Sequence, residues 1–174
     1  VWELATPKNI ASFDYQDNDA EGLFFLTNFE APNYRLVKIL FTGEVAEIIP
    51  ETDLALKSVS ILDEFIITNS INTDMNSMVE FYSKDGVLLD FKIPDDIEGT
   101  LSSFSMYKDK LRFSVTNFIN PTRYIDLDLN TLDYTIVWQD KVSNFNPADY
   151  EKTFTYYESK DCLLYTSPSP RDDL

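Results

Sequence analysis

One pattern of apolar and polar positions recurs along the chain. Leu111, Phe113 and Val115 alternate with polar residues, Thr116 to Pro121 break the run, and Ile125, Leu127 and Leu129 then alternate with Asp126 and Asp128. A period of two on either side of a short polar loop predicts two half-buried strands. Nearly the same wording occurs at Phe24-Phe25-Leu26-Thr27-Asn28, resuming at Tyr34-Arg35-Leu36. A looser copy runs from Phe65 to Asn69 and resumes at Met78-Val79-Glu80-Phe81.

Taken in order, the pattern predicts strands over Val1–Thr6, Ile10–Tyr15, Leu23–Thr27, Tyr34–Phe41 and Val45–Ile49. A second group covers Leu56–Leu62, Phe65–Thr68 and Met78–Tyr82. After the Asp85-Gly86 turn, Val87, Leu89, Phe91 and Ile93 alternate up to Pro94. The third covers Thr100–Tyr107, Leu111–Thr116, Thr122–Leu129 and Tyr134–Trp138. Gly43, Gly86 and Asn130 stand 43 and 44 residues apart, each of a type that tolerates the left-handed conformation of a tight turn. Pro50 and Pro94 repeat at 44, and 43 residues before Pro50 stands Pro7. Four strands every ~40–50 residues is the period of a β-propeller blade. A plain sandwich also spaces short strands closely, but without marker residues at a fixed long interval.

The expected fold is therefore all-β, about three four-stranded blades of an incomplete β-propeller. A lone blade leaves its faces bare, and three blades are fewer than the roughly four to eight that close a ring, so a larger propeller is expected. The Thr-Asn pairs at strand ends read as turn chemistry, the Asn bonding its own backbone.

Composition narrows the chemistry. Thirteen Phe and ten Tyr against four Gly favour strands. A net charge of −16 argues against nucleic-acid and membrane-surface partners, and no apolar run approaches the ~18 residues of a membrane span. With no histidine, the chain alone cannot assemble a Ser-His-Asp or Cys-His site. Cys162 is the single thiol, and no phosphate-binding or nucleophile-elbow glycine motif is present. No metal or cofactor is expected. Two other function classes find an opening in the sequence. Ser83-Lys84-Asp85-Gly86 is a partial Asp-box without its Trp, the opening for a paired-carboxylate glycosidase. Trp138-Gln139-Asp140 resembles the end of a WD-repeat blade without its Gly-His partner, the opening for a non-enzymatic binding scaffold.

The ends look cut. Val1 is not a methionine, and the stretch from Cys162 to Asp172 has no periodicity. It matches an in-frame translation of a transposase adapter used in sequencing libraries, so residues 162–174 are expected to be a scar.

Three passages resemble the prolyl oligopeptidase family of serine peptidases. They are Thr27-Asn28 with Ala31-Pro32-Asn33-Tyr34-Arg35-Leu36, Thr116-Asn117-Phe118 with Pro121, Tyr124 and Asp126, and Asn146-Pro147-Ala148-Asp149-Tyr150-Glu151 followed by Phe154, Tyr156, Tyr157 and Ser159-Lys160-Asp161. The family would continue with Gly where Cys162 stands. The resemblance implies a seven-bladed propeller over an α/β-hydrolase domain that cleaves short peptides after proline. In the family the catalytic Ser, Asp and His lie downstream of Asp161, so no catalytic residue falls on this sequence. It further implies a division into 1–147, the last blades, and 148–161, the start of the peptidase domain. Phe145, Asn146, Pro147, Ala148, Asp149 and Tyr150 would then form one of the chain crossings between domains, a hinge candidate. Short peptides as substrates, a monomeric parent and a cytoplasmic location are the family's expectations. An oligopeptidase B type, with basic-residue specificity, is the nearest alternative.

Overall fold

The structure is a computed structural model describing residues 11–153, 155, 157–158 and 164–165. Three four-stranded antiparallel meanders follow one another, each paired in chain order. The first blade holds β1 (Phe13–Asn18), β2 (Gly22–Thr27), β3 (Arg35–Leu40) and β4 (Val45–Ile49). The second holds β5 (Leu56–Ile61), β6 (Ile66–Ile71), β7 (Ser77–Tyr82) and β8 (Leu88–Leu89). The third holds β9 (Thr100–Tyr107), β10 (Lys110–Thr116), β11 (Arg123–Leu127) and β12 (Tyr134–Gln139). Farther on, β13 (Tyr157–Glu158) pairs with β14 (Leu164–Tyr165). No helix among the described residues is long and apolar enough to cross a membrane. The expected strand at Val1–Thr6 lies outside the described residues.

Gly43, Gly86 and Asn130 occupy the same corner of successive blades, the turn from third to fourth strand. Gly43 and Gly86 have φ of +93° and +82°, but in the third blade the left-handed residue is Leu132, at +61°, not Asn130. Asp128 is the cause. Its Oδ1 accepts from the Asn130 and Thr131 backbone N–H groups, which shifts the reversal two residues on.

The blades stack through alternating faces. Ile67 and Phe81 are register partners on one face of the second blade. They share an apolar core with Phe65 and with Leu101, Phe104, Leu111, Phe113, Val115, Ile125 and Leu127 of the third. Ile66 and Tyr82, on the opposite face, pack with Phe24, Leu36 and Ile49 of the first. With both faces covered, Ile66 through Asn69 are buried without interruption. That explains why this copy of the pattern runs Phe-Ile-Ile where β10 alternates Leu-Arg-Phe-Ser.

The structure corrects three further expectations. β6 does not end at Thr68 but runs to Ile71, because Asn69 is buried and its Nδ2 donates to the Leu101 carbonyl at 2.8 Å. The turn falls to Asn72, whose Oδ1 accepts from the backbone N–H of Asp74 and Asn76. Asn28 likewise looks away from its own turn and accepts from Ser12 N at 2.7 Å, while Thr27 Oγ1 donates to Ser12 O. Of the three Thr-Asn pairs, Asn117 alone makes the expected local turn, accepting from Ile119 N and Asn120 N.

Finally, β8 stops at Leu89 although the alternation continues to Ile93. Phe91 still packs on Phe65 and Phe81, with ring centroids 5.9 and 5.8 Å apart. Alternation therefore reported side-chain direction, not ladder pairing. A cleft of about 410 Å³ separates Met78 and Val79 of β7 from Lys92 and Ile93.

Each first strand also carries one extra residue: Gln16 in β1, Lys57 in β5 and, in β9, a bulge opposite Phe113. Such bulges sharpen the strand twist where β1 comes against β5.

Candidate functional site at the loop face and the Phe145–Tyr150 segment

The loops joining second to third strands supply the polar turns of one end of the stack. After β10, Asn117 holds the loop by the two bonds to its Oδ1, which leaves Phe118 66% exposed at the tip. Two clefts meet at that ring. One, of about 190 Å³, is lined by Met75, Thr100, Phe118 and Lys152. The other, of about 520 Å³, is lined by Phe118, Pro121, Asp140, Val142 and Phe145. The chain leaving the third blade thus returns across this loop face.

The six hinge candidates form one self-contained turn. Pro147–Asp149 is a single 3-10 turn, with Pro147 at its start, where its missing N–H costs nothing. Asn146 caps it: Oδ1 accepts from Ala148 N at 3.3 Å and Nδ2 donates to Asp149 Oδ1 at 3.1 Å. Tyr150 N donates to Pro147 O at 3.2 Å. Phe145 and Tyr150 close the unit by stacking, their centroids 4.9 Å apart. Phe145 reaches the cleft beside Phe118, whereas Ala148, Asp149 and Tyr150 are exposed. The turn is tied by bonds among its own residues, and Phe145 lines the cleft it shares with Phe118.

Among the described residues, no group of three or more His, Cys, Asp or Glu is placed to hold a metal ion. The strongest electrostatic pairs serve packing. Arg112 grips Asp126 through two bonds of 2.6 and 2.8 Å, and this hydrogen-bonded guanidinium holds the Asp126 carboxyl below the ordinary carboxylate range. Lys38 Nζ lies 2.7 Å from both Asp19 and Glu21, and its bonds to them, Asp19 first, raise its pKa. Tyr82 is pushed up to about 12, by burial first and then by its bond to Glu80. The partial Asp-box Ser83-Lys84-Asp85-Gly86 is the blade corner, with Gly86 N donating to Ser83 O and Val87 N to Ser83 Oγ. Sequence reasoning missed the part played by Phe118, because an exposed aromatic on a loop tip has no periodic signature.

The comparisons with known proteins agree with this architecture. The family model "Prolyl oligopeptidase, N-terminal beta-propeller domain" matches residues 1–140. A prolyl endopeptidase of Dictyostelium discoideum is 29% identical over 163 residues, 86% of this chain and 21% of the relative. One from Elizabethkingia meningoseptica is 31% identical over 152 residues, 83% of this chain and 21% of the relative. Prolyl oligopeptidase B from Galerina marginata, solved with a 35mer hydrolysis and macrocyclization substrate, superposes with a TM-score of 0.80 at 24% identity. That match covers 95% of this chain and 24% of that one. The chain spans about a fifth to a quarter of the length of the relatives it matches. Three consecutive four-stranded blades with their corners in register, under a propeller model covering most of the chain, place it in the prolyl oligopeptidase family, as part of the N-terminal β-propeller domain.

Proposed function

We propose that this chain is the non-catalytic, access-limiting part of a serine-type endopeptidase that hydrolyses short peptides after proline. The observation that carries the reading is the stack of three blades, which would form part of a ring too narrow for folded proteins and passable to short peptides. Enclosure of that kind excludes competing substrates and water from a reacting centre. The nucleophile, base and orienting acid would be supplied by a peptidase domain beginning near Ala148. Phe145–Tyr150 would act as the hinge, its knotted turn moving as one body while the bonds on either side of it rotate. A cytoplasmic setting is part of the same proposal and rests on the family alone.

The test has two arms. The 174-residue chain should release nothing above buffer from a proline-containing fluorogenic peptide. The product of the gene extended past Asp161 should cleave that peptide and spare an arginine analogue. Turnover by the 174-residue chain itself, or preference of the extended product for arginine, would sink the reading.

A further inference from the structure

Among the described residues, only the second blade has a neighbour packed on each of its faces, so its rim is that of a blade already stacked. The outer edge of its β7 is closed at two places and open between them. Asn72 N donates to Asn76 O, which fixes the parity of the β6–β7 hairpin. Met78, Glu80 and Tyr82 therefore bond β6, while Ser77, Val79 and Phe81 turn their N–H and C=O groups towards the rim. Phe81 pairs with Leu89, the last residue of β8, and Ser77 N donates to Gly99 O at 2.8 Å. Residues 90–98 leave the ladder between these two points, so Val79 has no backbone partner on that side among the described residues. The cleft of about 410 Å³ lies under this arch.

The cleft presents one unpaired backbone donor and one unpaired acceptor against an apolar wall of Val79, Ile93, Pro94, Ile97 and Leu101. A molecule that answers all of these at once is an extended peptide, which adds itself to a strand edge through its own backbone. From Ser77 to Phe81 the edge runs about 13 Å, at ~3.3 Å per residue, room for about three residues and their end groups.

The charges of the arch set the direction. Lys92 follows Leu89 by three residues, whereas Asp95 and Glu98 come after the turn that Ile97 N closes on Pro94 O. Chain order thus puts the cation towards Phe81 and the two acids towards Ser77, and all three are exposed and line the cleft. None of the three side chains is engaged in an ion pair or hydrogen bond among the described residues. A peptide ammonium belongs at the acidic end and a carboxylate at the Lys92 end, which lays the peptide parallel to β7. In parallel pairing Val79 N–H reaches the carbonyl of the first peptide residue, and Val79 C=O accepts from the N–H of the third. A tripeptide is the shortest chain that satisfies both.

We propose that this rim cleft is a binding site for short apolar peptides with free ends, held parallel to β7 at Val79. The site uses only the second blade and the arch that leaves it, so it stands independently of the peptidase reading.

Amide NMR spectra of the isotopically labelled 174-residue chain, titrated with the tripeptide Ala-Leu-Ala, read the proposal directly. The Val79 signal should shift and saturate. Acetylating the peptide's amine or amidating its carboxylate should each weaken binding about threefold, and N-methylating its third residue about fivefold. Lys92→Gln should weaken the free peptide about threefold and leave the amidated one unchanged. The double variant Asp95→Asn with Glu98→Gln should do the same for the free and acetylated forms. A merely structural role for these residues would weaken every form alike. Lys84→Gln, at the other end of the blade, should change nothing. Absence of a saturable shift at Val79, equal binding of free and capped peptides, or a Lys92→Gln effect that persists with the amidated peptide would each overturn the proposal.

Discussion

The two seams between blades are made of different material. The seam between the second and third blades is one apolar body: Phe65, Ile67, Phe81, Leu111, Phe113, Ile125 and their neighbours, with Phe65 and Phe81 edge to face at 5.7 Å. Buried beside it, Asn69 donates through Nδ2 to the Leu101 carbonyl, while its Oδ1 is left without a hydrogen-bond partner. The seam between the first and second is smaller and mixed. Phe24, Leu36, Ile49 and Ile66 share it with Tyr82, which bonds Glu80, and with Lys38, whose ammonium lies 5.3 Å from the Phe24 ring centroid while reaching Asp19 and Glu21. Both seams join the same kind of sheet. The first gains stability from buried apolar area, and the second adds ionisable groups whose worth depends on pH.

Phe81→Ala should be the most damaging single change, because Phe81 is fully buried in the larger seam and its removal leaves a ring-sized cavity. We expect a loss of ~3–5 kcal/mol in urea unfolding. A loss no larger than that of Leu36→Ala in the smaller seam would remove the distinction between the two.

Gly86→Ala sharpens the comparison from the backbone side. A Cβ there would stand 1.9 Å from the Ile48 carbonyl of the first blade, on a residue already at φ +82°. A cost above ~2 kcal/mol is expected. Gly43→Ala, at φ +93° but with open space around its Cβ, should cost ~1 kcal/mol. Equal melting points for the two variants would show that the turn of the second blade does not bear on the first.

Arg112→Ala probes a face outside both seams. It strips the bidentate partner from Asp126, whose side chain is 9% exposed, for ~1–2 kcal/mol. Because Arg112 holds the Asp126 pKa down, that stability is present above the ordinary carboxylate value of 3.8 and is lost as pH falls through the lowered one. The acid limb of the pH–stability curve should therefore flatten in Arg112→Ala.

The smallest effect is alkaline and belongs to the mixed seam. The Tyr82 pKa is raised to about 12 from 10.0, so its contribution is whole below pH 10 and is lost as pH rises towards 12. The shallower stability loss expected of Tyr82→Phe over that window would be read by urea melts at successive pH values. An unchanged slope would mean that Tyr82 is not held neutral by the seam.

Much of this architecture was legible in single residues, and the limits of that legibility are physical. Gly43 and Gly86 marked blade corners because a positive φ is a local requirement that few residues meet. Asn130 marked its corner correctly but not the left-handed position, since the carboxylate two residues before it moved the reversal to Leu132. Phe91 and Ile93 kept the direction their alternation announced while their backbone left the ladder. Pairing with β7 depends on where that strand lies, which no local pattern encodes. In the Phe145–Tyr150 segment, Pro147 announced a loop, but the Asn146 cap and the Phe145–Tyr150 stack emerged only with coordinates.

The sequence by itself determined the three four-stranded sheets, their order, their corners and which side chains share a face, because a period of two and a turn residue act over a few bonds. Tertiary structure decided which face meets which neighbour. It turned Asn69 from a turn residue into a tie 32 positions long and set a bulge in every first strand. Those outcomes depend on surfaces brought together from distant parts of the chain, and their energies exist only once the sheets are stacked.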